Sequence, residues 1–459
     1  MKKSLITALA AAMMSAVFAA QCVIPQKADA LTFTPNTSVS SEAAVLYNLD
    51  VGATVYEKNA DMKEMPAALT QIMTAVVVLE NCADITTETV TANEDMFEQF
   101  SSYDYQSDLR YANIEAEDTL TVEDLLYAMM LTSSCEAAVM LATHFGSGNE
   151  QAFVEQMNAK AAALKMENTR FTNATGLYSA RQVSTARDIM TLLNYAMNVP
   201  HFEAIACAQS YTPASAASLG KGDKWNWEHS NTMSNSSDKF YCNGVRGIKT
   251  GNLQEGGRCI ACKASRDGNN YLLVCMHAPM YDKDEKTYFY HQEDAKNILE
   301  WAFMHLSYQT IVKDSTEMGE RKVANAEGDN FVIARPAEGY SCIWCDTADV
   351  KSVQQIKTWI YDDSDPIPAP VKVGDKLGTL TLKLSGETLA EIDLVAGTSV
   401  ERSFWKYNLA EIPGFFRSKY LKKTWVWGLI LSVLYIGICI YFAVRFRMER
   451  KKRAQRPRR

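Results

Sequence analysis

The spacing of apolar and polar positions changes its period several times along the chain. Residues 43–60 (AAVLYNLDVGATVYEKNA) hold two short strand-like runs on either side of Asp50-Val51-Gly52, which predicts a hairpin. MPAALTQIMTAVVVLENC at 65–82 predicts a long apolar helix. Residues 121–146 predict two helical stretches around a polar break, the first opened by a capping box of Thr121 and Asp124. A further helix is predicted over 183–198. GIKTG (247–251), GRCIACKAS (257–265) and NYLLVCMHA (270–278) predict strands, the last two joined by a turn at Asp267-Gly268. A helix around Glu293–Phe303 ends this region. Strands interleaved with helices over 31–308 predict an α/β or α+β domain.

From 309 to 405 the pattern becomes strands and turns: NFVIARP, KTWIYDD and GTLTLKLSGETLAEIDLVAG. Leu377, Thr379, Thr381 and Lys383 alternate with Gly378, Leu380, Leu382 and Leu384, so one face is apolar. A small all-β domain is expected, followed by a juxtamembrane linker over 406–423.

The two ends differ again. Lys2 and Lys3 precede an apolar run to Ala20, and Ala28-Asp29-Ala30 follows as a small-residue cleavage site. Residues 1–30 therefore read as a secretory signal peptide. Residues 424–444 carry no charge for 21 positions, enough to cross about 30 Å of hydrocarbon. Trp425, Trp427, Tyr441 and Phe442 lie near the edges of that run, as interfacial aromatics do. The tail at 445–459 holds nine Lys or Arg against one Glu. An excess of basic residues marks the cytoplasmic side, so the body is expected outside on a single-pass anchor.

Charge supports this layout. The net charge is -8, yet the tail alone contributes about +8 and the first 30 residues about +2. The middle is thus strongly acidic. A nucleic-acid binder concentrates basic residues on a folded domain, so nucleic acid is excluded as a partner. Cys259-x-x-Cys262 and Cys342-x-x-Cys345 have metal-like spacing. In a strand, however, side chains three apart face opposite sides, and no His lies at ligand spacing. No metal and no cofactor are expected.

Residues 43–80, 120–146, 170–195 and 228–278 resemble the serine-type D-Ala-D-Ala carboxypeptidases, the low-molecular-mass penicillin-binding proteins. Residues 371–400 resemble the β-rich C-terminal domain of the same group. The resemblance implies a penicillin-binding-protein/β-lactamase-like transpeptidase fold. It also implies action on the stem peptides of peptidoglycan, through motifs S-x-x-K, S-x-N and K-T-G. In the first motif, Ser and Lys lie one helical turn apart, so Lys can take the Ser proton. Here that segment reads Pro66-Ala67-Ala68-Leu69-Thr70-Gln71-Ile72-Met73-Thr74. Ala68 stands in place of the nucleophile and Gln71 in place of the base. A methyl group cannot attack, and a carboxamide does not titrate usefully.

The second motif corresponds to Ser133-Ser134-Cys135, with Ser133 retained and Cys135 in place of Asn. The third is intact at Lys249-Thr250-Gly251, which by resemblance binds the terminal carboxylate of a peptide. Ser133, Lys249, Thr250 and Gly251 are the candidate binding residues. The expected function is a catalytically inactive homologue that binds a peptidoglycan stem peptide or a cell-wall protein. Two alternatives stay open. One is an active carboxypeptidase with an unorthodox nucleophile, Cys135 being the first candidate. The other is an anchored scaffold without ligand.

Overall fold

The computed structural model describes residues 31–217, 219–361, 364–417 and 419–454. The segment read as a signal peptide lies outside them. The described chain divides into two compact units, the larger built from residues up to 309 plus 341–352. The segment 341–352, expected in the β domain, thus belongs to the larger unit.

The larger unit is a five-stranded antiparallel sheet with helices packed against it. Its strands are β1 (Ala43–Asn48), β2 (Ala53–Lys58), β3 (Val245–Leu253), β4 (Gly257–Arg266) and β5 (Asn269–Ala278), in the order β2-β1-β5-β4-β3. The predicted hairpin is β1–β2, closed where the Asn48 side chain accepts from the backbone N–H of Asp50 and Val51. Because β3 ends the sheet, one of its long edges faces no other strand among the described residues. Alternation sends β4 side chains to opposite faces. Cys259 and Ala261 join the apolar core on one side, and Ile260 and Cys262 that on the other. The Cys-x-x-Cys spacing therefore separates the thiols rather than pairing them.

On the first face lie α1 (Thr70–Asn81), α2 (Val122–Thr132), α3 (Cys135–Phe145) and α4 (Ala186–Ala196). Helix α1 is buried from Thr70 to Val78, which explains the predominance of apolar residues in its sequence. Helix α2 begins at the predicted capping box, Thr121 and Asp124 each bonding the other's backbone N–H. It stops at Ser133, whose left-handed backbone (φ 67°) turns the chain sharply. Ser134 then caps α3 by accepting from Ala137 N–H at 3.0 Å. Helix α5 (Tyr290–His305) covers the opposite face, with Ala295, Ile298, Leu299 and Ala302 in that second core.

The smaller unit contains a six-stranded sheet. Its strands are β6 (Gly319–Ala324), β7 (Phe331–Pro336), β8 (Gln354–Trp359), β9 (Ile367–Pro368), β10 (Lys376–Leu384) and β11 (Glu387–Ala396), in the order β8-β10-β11-β7-β6-β9. Leu380 and Leu382 are buried while Thr379, Thr381 and Lys383 are partly exposed, as the alternation requires. Most of 406–423, read as a linker, is helical. One helix runs over Phe404–Arg417 and a second over Lys419–Ala454. Within the latter, Lys423–Arg450 is long and apolar enough to cross a membrane.

A turn, Ala67–Leu69, precedes α1 and is wedged between two glycines. A Cβ on Gly176 (φ +83°) would stand 2.2 Å from the Ala67 carbonyl oxygen. Gly220 (φ +67°) has open space around its Cα. Gly176→Ala should cost about 3 kcal/mol and Gly220→Ala only about 1 kcal/mol, read from the urea midpoints of the two variants.

Candidate functional site

The turn at Ala67–Leu69, the break between α2 and α3, and the free edge of β3 converge on one small cleft of about 90 Å³. Its walls include Ala68, Ser133, Cys135, Thr250 and Gly251, five of the seven positions singled out from the sequence. Gln71 and Lys249 lie behind the walls, both fully buried.

Gly251 is glycine for a reason internal to the chain. A Cβ there would meet the Ala67 Cβ at 2.8 Å and the Ala68 backbone nitrogen at 3.0 Å. The bare Cα lets the turn that carries Ala68 lie flat against β3. Gly251 thereby sets the width of the cleft.

Gln71 follows Ala68 by one turn and points inward. Its Nε2 donates to the carbonyl oxygens of Thr175 (3.0 Å) and Ser133 (3.3 Å). Its Oε1 is buried without a partner. Two carbonyl acceptors facing one side chain form a pocket suited to a donor with several hydrogens. A carboxamide fills it at the cost of an unpaired oxygen.

Lys249 reaches Ser133 by hydrogen-bonding its Oγ through Nζ. The amine is wholly buried, and none of the ion pairs among the described residues includes it. Burial, reinforced by the Arg110 guanidinium and partly opposed by the Cys135 thiol, pushes its pKa down to about 7. Ser133 Oγ also approaches the Thr250 carbonyl oxygen at 3.4 Å. The Thr250 hydroxyl meets Ser230 Oγ at 2.6 Å. Ser133, Ser230 and Thr250 therefore present hydroxyls to the cleft, and the lysine charge sits behind the first of them.

Cys135 is only 2% exposed and packs with Phe100, Leu109, Val139 and Leu177. Burial pushes its thiol up to about 12. A nucleophilic cysteine needs the opposite shift. His229, next to Ser230, is buried and held neutral by desolvation, its pKa lowered to about 4. It donates or accepts only locally, to Ala206 O and Asn231 N–H.

Sequence reasoning missed Asp108, Arg110, Ser230 and Asn252, all of which line the cleft. Asn252 adjoins the K-T-G motif and could have been found from it. Asp108 ends a single 3-10 turn, Gln106–Asp108, and Arg110 and Ser230 lie on loops, all without a periodic signal.

The family comparison now bears on this geometry. Residues 29–280 match the family profile described as D-alanyl-D-alanine carboxypeptidase. The chain belongs to that family. Residues 307–402 match a second profile, the C-terminal domain of penicillin-binding protein 5. The D-alanyl-D-alanine carboxypeptidase DacF of Bacillus subtilis is 27% identical over 79% of this chain and 86% of its own length. A D-alanyl-D-alanine carboxypeptidase of Streptomyces sp. K15 is 30% identical over 53% of this chain and 85% of its own. In fold, the chain is similar to the carboxypeptidase DacD of Francisella tularensis. The TM-score is 0.59 at 21% identity, over 81% of this chain and 97% of that one. The fold is thus of the penicillin-binding-protein transpeptidase type, with a C-terminal all-β domain.

Replacing Gln71 by Leu strands the carbonyls of Ser133 and Thr175. The variant should lose about 2 kcal/mol of stability, measured by denaturant unfolding.

Proposed function

We propose that this family member binds the D-alanyl ends of peptidoglycan stem peptides without turning them over. In this reading the body stands outside the cell on the Lys423–Arg450 helix, with the basic tail in the cytoplasm. The observation that carries the reading is a split within one cleft. The attacking and proton-accepting positions hold Ala68 and Gln71, while the anion-binding wall keeps Lys249 behind Ser133 and Thr250.

Such a wall suits a carboxylate. The hydroxyls of Ser133, Ser230 and Thr250 can donate to its oxygens, and Lys249 supplies the charge through Ser133. A buried amine without a counter-ion is costly. A bound carboxylate supplies that counter-ion and raises the amine pKa. Cys135 is an unsuitable replacement nucleophile because its thiol is buried and resists ionisation. Peptidoglycan is the substrate of the family's chemistry, and its peptide termini are the proposed ligand.

The full-length protein in detergent, incubated with fluorescent penicillin and read by intact mass, should show no covalent adduct. The double variant Ala68→Ser with Gln71→Lys should regain labelling, since the two carbonyls that hold Gln71 also suit a lysine. An adduct on the unaltered protein would overturn the reading.

Affinity for an acylated Lys-D-Ala-D-Ala peptide, measured calorimetrically, should depend on Lys249. Lys249→Met keeps the volume and should weaken binding about tenfold or more. Below pH 7 the amine is already protonated in the free site and binding is strongest. As pH rises past about 7 a proton must be taken up, so affinity should fall about tenfold per unit. Equal affinity in Lys249→Met would sink the carboxylate assignment.

A further inference from the structure

The segment between the helix Glu94–Ser101 and Arg110 lines the cleft through Asp108 and Arg110 and is tied to residues on two sides of it. On one rim, Tyr103 Oη accepts from Tyr178 N–H at 2.8 Å, and the Tyr105 ring packs edge-on against Tyr178 at 5.2 Å. On the other, Tyr105 Oη donates to Glu255 at 3.1 Å. Both Asp108 carboxylate oxygens accept from Gln254 N–H, at 3.1 and 3.2 Å. The segment is also pinned from below. Leu109 packs with Cys135 and Leu177, and Cys135 N–H donates to Arg110 O at 2.8 Å.

The position of these ties matters. Thr250, Gly251, Asn252 and Leu253 line the cleft along the free edge of β3. An extended peptide can add to such an edge through its backbone. With its carboxylate at the Ser133–Thr250 end, the rest of the peptide would run towards Leu253 and Gln254. At that end the Gln254 N–H is already taken by Asp108.

We propose that residues 102–110 form an autoinhibitory strap over the upstream end of the cleft. Closed, it admits the last residues of a peptide. It must release Gln254 and Glu255 before a longer chain can pair along β3. The direction of the peptide rests on the carboxylate reading above; the closure itself does not. Cys135 gives a ligand-free reporter, because its thiol lies beneath Leu109 and is shielded while the strap is shut.

The test follows N-ethylmaleimide labelling of the full-length protein in detergent, mapped by peptide mass. The variants are Asp108→Ala and Tyr105→Phe, singly and together. The double variant should label at Cys135 about tenfold faster than the unaltered protein, each lost hydrogen bond contributing. Cys262, fully buried in the other core, should keep its rate. An unchanged rate at Cys135 overturns the strap. So does a parallel rise at Cys262, which would report general loosening. In a second arm, the double variant should gain affinity for a pentapeptide ending in D-Ala-D-Ala relative to N-acetyl-D-Ala-D-Ala. A gain equal for both peptides overturns the length selection. Binding of neither peptide, with Cys135 still accelerated, upholds closure and removes the peptide reading alone.

Discussion

The hydrogen bond from the Lys249 amine to Ser133 Oγ is the constraint around which the cleft is organised. It joins the end strand of the sheet to the break between two helices that pack into the same core as that strand. Forming it requires a left-handed residue at the end of α2, so that the Ser133 hydroxyl turns towards β3. It also requires a glycine at 251, so that the turn before α1 can approach the same strand. The amine gives up water in exchange for a single neutral partner. That imbalance lowers its proton affinity.

Against this frame the losses are local. Ala68 lies in the cleft wall, held by a glycine on either side of its turn. Gln71 keeps contact with the two carbonyls that face it. The substitution of Cys135 has a different character. The thiol lies in an apolar cluster with Leu109 and Leu177, and so packs against the segment that carries Asp108 and Arg110. The scaffold around the cleft is preserved at all three motif segments.

Much of this was legible in the sequence because it depended on local rules. The β1–β2 hairpin, the capping box of α2, the Ser133-Ser134 break and the opposed faces of Cys259 and Cys262 follow from turn chemistry, capping and strand period. The three motif segments together placed five residues in the cleft wall. What escaped depends on distant closure. Asp108 and Arg110 lie in a segment without periodicity, and nothing in its spacing announces that Gln254 will meet Asp108. Ser230 reaches Thr250 across a loop. Lys249 was legible as a candidate, but its place behind Ser133 rather than in the wall was not. The stretch at 406–423 carries Gly, Pro and mixed charges, which suggested a linker, yet the local backbone is helical.

The pocket around Gln71 also bears on how such a site can change over generations. A serine restored at 68 would face a carboxamide that cannot relieve it of its proton. A lysine restored at 71 would place a second ammonium beside a cleft already charged by Lys249, with no hydroxyl to activate. Each single step is therefore idle or costly, and only the pair is productive. Gln71 sits between two carbonyls with its own oxygen unpaired, so the path to an S-x-x-K pattern is two substitutions wide.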